Sequence, residues 1–284
     1  MKDIVIPERY NYIGVFLTFA CNLKCSFCIN DFESPPRHLR KRHLTGEEWL
    51  RGLNRIISRP DLPLTLQGGE PTLHKDFARI VNGVRRDLNI DVLTNLQDEK
   101  IFLENIASDR LKRKALYASI RVSFHPEQMD IMELKNKVLR MLRENFSIGI
   151  WGVMHPWQKS SVKSAQKLCQ REGIDFRTKE FLGEYKGKMY GQYRYPEAVA
   201  KEIRRNVMCR TTELLIGPDG GIYRCTADIY EGRQPIGHIL DPDFQIEDKF
   251  RQCGWFGHCN PCDVKIKTNR LQRFGHSSVE ILNG

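Results

Sequence analysis

The 284-residue sequence lacks any apolar run that approaches the roughly 20 residues needed to span a bilayer. Its first seven residues also lack the pattern of a secretory signal peptide. Acidic residues are fewer than basic ones, 35 against 45, which gives a formal net charge of +10. We therefore expect a cytoplasmic protein without membrane contact. In that compartment, nine cysteines favour metal ligation over disulfides.

Three of these cysteines occur within eight residues. Cys21, Cys25 and Cys28 have the spacing C-x3-C-x2-C, and clustered thiolates indicate zinc or an iron–sulfur cluster. The next candidates for a fourth zinc ligand, His38 and His43, follow a turn-like Ser-Pro-Pro. A cluster held by three thiolates, with one iron left open, fits this spacing better than zinc does.

A basic segment, residues 37–43, follows the cysteine loop. Such a segment is typical of a binding site for a phosphate, an acidic leader peptide or RNA, and it is equally typical of a solvated loop. Charge alone therefore selects no partner, and nucleic acid is not the expected one.

Strand-like and helix-like segments alternate from residue 12 to residue 182. Strands are predicted at 12–19, 62–66, 90–94, 118–124, 148–154 and 174–181, and helices at 45–59, 75–86, 100–108, 131–144 and 160–172. Such alternation predicts parallel βαβ units. Six units are too few for a closed eight-fold barrel. The expected fold is therefore α/β, a partial (βα)6 barrel over 1–182, followed by a linker and a small cysteine-rich hairpin and helix module over 183–284. Residues 182–193 are expected to be a linker or substrate-covering loop, and a last helix is possible near 247–253.

Polar motifs follow the predicted strands, where a parallel barrel gathers its chemistry. After the second strand comes Gly68-Gly69-Glu70, in which the glycines allow close backbone approach and the carboxylate can accept from an ammonium group. His125 and His155 follow the fourth and fifth strands. They are candidate polar anchors or proton carriers for a substrate, or else loop-anchoring groups. His74 is expected to be structural.

Five cysteines in the last third of the chain form a second set: Cys209, Cys225, Cys253, Cys259 and Cys262. A turn at 218–221, with Gly220 five residues before Cys225, predicts a β-hairpin. From spacing alone, a four-thiolate zinc site is a fair alternative to an iron–sulfur cluster. The remaining Cys169 lies on a predicted helix and is expected to be a buried thiol.

These motifs together resemble the radical S-adenosylmethionine (radical SAM) superfamily. The resemblance implies a [4Fe-4S] cluster on the first three cysteines, whose open iron chelates the amino and carboxylate groups of SAM. It also implies that Phe27 lies near the adenine and that the Gly-Gly-Glu motif contacts the SAM amino group. The residues it assigns to SAM are Phe27, Gly68, Gly69, Glu70, Thr94, Asn95 and Ser123.

The C-terminal cysteines resemble the twitch module, a shortened SPASM domain that carries one auxiliary [4Fe-4S] cluster. On this resemblance the second cluster is held by Cys209, Cys225, Cys259 and Cys262. Cys253 departs from the family pattern and is predicted not to be a ligand, with the alternative left open that it replaces one of these four.

The implied activity is reductive cleavage of SAM to a 5′-deoxyadenosyl radical that abstracts hydrogen from a substrate carbon. An electron donor such as flavodoxin or ferredoxin is implied. A fully ligated second cluster favours net oxidation of a sugar, cyclitol or nucleotide-linked carbohydrate. Two alternatives stay open: crosslinking or epimerisation of a ribosomally made peptide, and a zinc-stabilised, basic nucleic-acid-binding protein.

Overall fold

The computed structural model describes residues 1–28, 42–267 and 276–283. Most of the basic segment, residues 37–41, lies outside the described residues. Within the described residues, no helix is both long and apolar enough to cross a membrane.

Short strands and helices alternate along most of the chain. The strands are β1 Ile4–Val5, β2 Tyr12–Thr18, β3 Ile56–Ile57, β4 Leu64–Gly68, β5 Ile90–Thr94, β6 Ile120–Phe124, β7 Ile148–Met154, β8 Phe176–Glu180, β9 Gly183–Tyr185, β10 Lys188–Tyr190, β11 Arg205–Thr211, β12 Glu213–Ile216, β13 Gly221–Tyr223, β14 Gly237–His238, β15 Arg251–Phe256 and β16 Val279–Asn283. The α-helices are α1 Gly46–Leu53, α2 Phe77–Gly83, α3 Lys100–Asn105, α4 Ile131–Arg143, α5 Lys159–Arg171, α6 Thr226–Tyr230 and α7 Pro261–Val264. Single 3₁₀ turns lie at Pro71–Leu73, Ser108–Leu111 and Pro196–Val199.

The central sheet confirms the α/β prediction. Among the described residues it has nine strands in the order β14-β13-β12-β2-β4-β5-β6-β7-β8. The six strands β2, β4, β5, β6, β7 and β8 are parallel neighbours in chain order. Their apolar side chains pack against the helices in one large core that includes Trp49, Phe77 and Phe102. The carboxyl ends of the six strands consequently meet along one rim.

Two predicted helices differ from the structure. The helix predicted over 45–59 begins as expected, with Thr45 and Glu48 forming a reciprocal capping box. It ends at Leu53, however, because the β-branched pair Ile56–Ile57 forms a strand with Ile4–Val5 instead. The possible helix at 247–253 is also wrong, since Arg251–Phe256 is a strand paired with β11.

The C-terminal part of the chain extends the central sheet. The predicted hairpin is present as β12 and β13, which pair antiparallel. Strand β12 also pairs in parallel with β2, at the edge that the partial barrel would otherwise leave open. A separate three-stranded sheet, β15-β11-β16, packs around a second small core that includes Val207, Phe256 and Val264. Within residues 182–193, expected to be a linker or substrate-covering loop, strands β9 and β10 form an antiparallel hairpin.

Arg55 fastens this C-terminal extension to the barrel. Its buried guanidinium donates to the carbonyl oxygens of Lys2 at 2.7 Å, Ile239 at 2.8 Å, Asp241 at 2.7 Å and Pro242 at 3.2 Å. One side chain thus joins the N-terminus, the end of α1 and the segment after β14.

We predict that Arg55→Ala destabilises the protein by about 2–4 kcal/mol, because it leaves several buried carbonyl oxygens without donors. The thermal unfolding midpoint should fall by several degrees. The matched control is Arg86→Ala, which removes only an exposed ion pair with Asp109 and should change stability by less than about 1 kcal/mol. Equal midpoints for the two variants would contradict this role of Arg55.

Candidate active site

The first cysteine loop leaves the end of β2. Cys21, Cys25 and Cys28 are half-buried, and the Cys28 amide donates to the Cys25 carbonyl at 3.1 Å. Burial, followed by the charge of the neighbouring Cys28, raises the pKa of Cys25 to about 12. Metal binding at this loop must therefore displace protons from the thiols.

Two side chains from the loop after β6 hold the first cysteine loop in place. The Glu127 carboxylate accepts from the Ser26 amide at 2.8 Å. Gln128 accepts from the Lys24 amide at 3.1 Å and donates to the Lys24 carbonyl. The sequence predicted no role for either residue, because a local pattern does not indicate a contact between residues that lie about 100 positions apart in the chain.

The glycines of the Gly68-Gly69-Glu70 motif are required by a neighbouring backbone. The Gly69 amide donates to the Thr18 carbonyl at 2.9 Å and the Glu70 amide to the Ala20 carbonyl at 2.8 Å. A β-carbon on Gly69 would lie 2.2 Å from the Ala20 carbonyl oxygen, and one on Gly68 would lie 1.9 Å from that of Thr18. Gly68 also has a φ of +147°, which favours glycine. The motif therefore packs directly against the chain that enters the first cysteine loop.

The Glu70 carboxylate is buried and bonded to protein donors. One oxygen accepts from the Thr72 amide and hydroxyl and from the Thr94 hydroxyl, the last at 2.8 Å. The other accepts from the Asn95 amide at 2.6 Å. The Asn95 side chain in turn donates to Asn22 at 2.7 Å. Glu70 thus links the ends of β4 and β5 to the first cysteine loop.

These elements surround one cavity of about 740 Å³ at the carboxyl ends of the strands. Its lining includes all the residues that the sequence assigned to the first cluster and to SAM: Cys21, Cys25, Phe27, Cys28, Gly68, Gly69, Glu70, Thr94, Asn95 and Ser123. The three thiols, a buried carboxylate and an aromatic ring therefore face the same space. Their donor chemistry fits a three-thiolate iron–sulfur cluster with SAM beside it.

Only one of the two candidate histidines lines this cavity among the described residues. His125 lies on its wall, and burial lowers the pKa of His125 to about 4. His155 stacks behind Phe27, with ring centroids 5.0 Å apart, and makes an edge contact with Phe181 at 4.4 Å. His155 therefore supports the aromatic wall, and His125 is the imidazole available to a ligand.

The opposite wall of the cavity is built by residues beyond the six-stranded barrel. Tyr230, Cys262 and Lys265 come from the C-terminal module, and Gln192 follows the hairpin β9–β10. The module thus contributes part of the wall of the cavity at the rim of the barrel.

The structure divides the second cysteine set between two cavities. Cys209, Cys225, Cys253 and Cys259 line one small cavity and pack against the second core. Cys262, predicted to be a ligand there, lines the large cavity instead, whereas Cys253, predicted not to be a ligand, sits within the set. Sequence spacing could not show this, because the sheet pairing of β15 decides which way Cys253 points.

Asp263 is a buried residue whose role the sequence did not indicate. Its carboxylate accepts from the amides of Thr226 at 2.8 Å and Ala227 at 3.0 Å, directly after Cys225. Burial raises the pKa of Asp263 to about 6. Asp263 thus ties the loop containing Cys259 to the chain that carries Cys225.

No three His, Cys, Asp or Glu side chains of the described residues converge closely enough to bind one metal ion. Thiolates of a four-iron cluster each bind a different iron atom, so the ligands of such a cluster do not share a single centre.

Comparison with known proteins identifies the family. Residues 15–144 match the family model described as the Radical SAM superfamily. That range contains the first cysteine set and the rim motifs through His125. The fold and the site together define the class of this part of the chain: residues 15–144 form a radical SAM domain.

Curated relatives resemble only part of the chain. GTP 3′,8-cyclase of Nautilia profundicola is 27% identical over 196 residues, covering 62% of this chain and 57% of the relative. GTP 3′,8-cyclase of Actinobacillus succinogenes is 33% identical over 77 residues, covering 27% and 23%. The chain thus spans less than two thirds of the length of these relatives.

Solved structures share the fold. A structure described as native anSMEcpe with bound AdoMet and the Kp18Cys peptide has a TM-score of 0.56 at 15% identity, covering 81% of this chain and 78% of that one. Streptococcus suis SuiB has a TM-score of 0.53 at 15% identity, covering 86% and 64%. Both comparisons confirm the α/β architecture.

The low pKa of His125 leads to a pH-dependent stability. The folded protein keeps this imidazole neutral down to about pH 4, whereas the unfolded chain takes up a proton near pH 6.5. The contribution of neutral His125 to the free energy of unfolding is therefore fully present above pH 6.5, and it is lost as the pH falls towards 4. We predict that between pH 7 and pH 5 the parent loses up to about 2 kcal/mol more stability than His125→Gln.

Unfolding midpoints of the parent and the variant at both pH values measure this difference, since all other titrating groups are shared. Identical losses in the two proteins would show that His125 is not kept neutral by burial.

Proposed function

We propose that this chain is an enzyme that cleaves SAM reductively and uses the resulting radical to remove a hydrogen atom from a carbon of an anionic small molecule. The observation that carries the proposal is the single cavity shared by Cys21, Cys25, Cys28, the Gly-Gly-Glu motif and Ser123. The radical SAM domain favours this function over the zinc-stabilised nucleic-acid-binding alternative.

The residues of the cavity have separate tasks in this proposal. Cys21, Cys25 and Cys28 would hold a [4Fe-4S] cluster, which supplies the electron for SAM cleavage. Glu70 fixes the Asn95 side chain beside Cys21, where its amide lies 3.9 Å from the sulfur. Phe27, supported by His155, offers a flat apolar surface for the adenine. A flavodoxin- or ferredoxin-like protein would deliver the electron from outside.

Arg121 supports an anionic substrate. This guanidinium lines the cavity although its side chain is only 2% exposed. It lies 3.3 Å from Asp91, but Asp91 is already paired with Arg113 at 2.7 Å. The Arg121 Nε atom has no hydrogen-bond partner among the described residues. Since two guanidinium groups share the single Asp91 carboxylate, one positive charge beside the cavity is left to attract a phosphate or carboxylate group.

Within the substrates expected from the sequence, Arg121 favours a phosphate-bearing nucleotide or nucleotide-linked sugar over a neutral sugar or cyclitol. The curated relatives are GTP 3′,8-cyclases, which agrees with a nucleotide. The second candidate is a peptide, since a solved structure with this fold contains a bound peptide. Net oxidation depends on the second cysteine set, because a centre bound by four protein thiolates can accept an electron from a substrate radical.

We predict that replacing Cys21, Cys25 and Cys28 together by Ala removes about half of the iron and all 5′-deoxyadenosine formation, because these thiolates hold the cluster that SAM requires. Anaerobically prepared protein, dithionite and mass spectrometry provide the measurement. The matched control is Cys169→Ala, which removes a buried thiol of α5 outside both cysteine sets and should preserve both quantities. Continued 5′-deoxyadenosine formation by the triple variant would disprove the first-site assignment.

The substrate class is tested by binding GTP, a neutral cyclitol and an unmodified peptide to the SAM-loaded protein. We predict that only GTP binds measurably and that Arg121→Gln weakens GTP binding about 10- to 100-fold, since a charged hydrogen bond contributes about 1.5–3 kcal/mol. Binding of SAM should be unchanged in the variant. Peptide binding without GTP binding would favour the maturase function instead.

A further inference from the structure

We propose that the second metal centre is bound by Cys209, Cys225, Cys253 and Cys259, and that Cys262 belongs to the large substrate-facing cavity. The inference rests on the proposed iron–sulfur function of the second cysteine set, but it changes the ligands that the Cys-x2-Cys spacing suggests. The two cysteines of that pair are separated in space, since Cys259 faces one cavity and Cys262 the other.

Sheet register places Cys253 beside Cys209. In the antiparallel pair β11–β15, Val207 is opposite Cys253 and Cys209 is opposite Arg251. Alternate residues of a strand point to the same face, so Cys209 and Cys253 share one face as diagonal neighbours. Both residues line the same small cavity. If Cys209 binds a metal centre, the neighbouring thiol on the same face of the sheet is therefore that of Cys253.

Cys225 and Cys259 reach the same place from two other elements. Cys225 immediately precedes α6, and the Cys259 amide donates to the Ala198 carbonyl at 2.9 Å. The bonds from Thr226 and Ala227 to Asp263 hold these two segments together. All four thiols consequently pack against the small core of the C-terminal module.

The surroundings of the four thiols suit negative charge. Arg224 and Arg233 line the same small cavity, and both pair with the buried Asp228, at 2.7 Å and 3.1 Å. Arg224 also donates to the Gln252 carbonyl at 3.0 Å, next to Cys253. Arg251 and Asp263 line the cavity as well, so three guanidinium groups stand against two carboxylates, and the small positive balance favours thiolate ligands.

Cys262 has a different environment. It lies within the short helix α7, after the capping residue Asn260, whose side chain accepts from the Cys262 amide at 2.9 Å. Its thiol lines the large cavity together with Lys265, Lys267 and Tyr230. Among the residues described, Cys262 is absent from both the lining of the small cavity and the small core.

The test uses the full chain in the Cys21/Cys25/Cys28→Ala background, in which all remaining iron belongs to the second site. Iron, acid-labile sulfide and zinc are measured in anaerobic preparations, together with the electron paramagnetic resonance spectrum after reduction. The background protein should contain about four irons with matching sulfide. Adding Cys253→Ala should lower the iron to less than about one per chain, whereas Cys262→Ala should leave the iron and the spectrum unchanged.

Cys253→Ser and Cys262→Ser separate ligand loss from misfolding, because serine keeps the size of the side chain. We expect Cys253→Ser to alter the spectrum or lose iron while keeping the circular dichroism of the background protein. If Cys262→Ala empties the site and Cys253→Ala does not, the ligand set is wrong.

Two further outcomes concern the nature of the centre itself. A background protein with neither iron nor zinc has no second metal centre, and a protein that holds zinc without sulfide has a structural zinc site. Either outcome would disprove the proposed second cluster. Neither would bear on the proposed function of Cys21, Cys25 and Cys28, because the background variant already lacks those cysteines.

Discussion

The close approach of two backbone segments positions the rest of the site. Gly68, Gly69 and Glu70 pack against the chain that leaves β2 and enters the first cysteine loop, and the Gly69 and Glu70 amides donate to its carbonyl oxygens. Only glycine leaves room for this contact, since a β-carbon at position 68 or 69 would overlap a carbonyl oxygen. The contact brings the thiols to the same cavity as Glu70, and through Glu70 it fixes the ends of β4 and β5 as well. A site assembled from three strand ends thus depends on one backbone junction.

The C-terminal module adds a wall to the site at the rim of the barrel. Strand β12 pairs with the free edge of β2, so the module is registered directly on the strand that precedes the first cysteines. Tyr230 and Cys262 consequently line the same cavity as Cys28, and Arg55 secures the C-terminal extension to the barrel. The pairing of β2 with β12 therefore brings residues of the C-terminal module to the cavity that the first cysteines line.

Local patterns in the sequence predicted most of the barrel and the residues around the first site. The six parallel strands follow from β-branched runs separated by helical periods, and the rim motifs follow from their position after those strands. Contacts between distant segments could not be predicted in this way. The pairing of Ile56–Ile57 with Ile4–Val5, of β12 with β2 and of β15 with β11 depends on tertiary structure. The face of β15 on which Cys253 lies depends on the pairing with β11, which spacing alone does not show.

The most direct measurement of the central claim is the electron paramagnetic resonance spectrum of the anaerobic, reduced parent protein with and without SAM. If Cys21, Cys25 and Cys28 hold a cluster with one open iron beside Glu70 and Asn95, added SAM must change the signal of one cluster. The signal from the second cysteine set should remain unchanged. A protein that contains only zinc, or whose iron signals do not respond to SAM, would contradict the account.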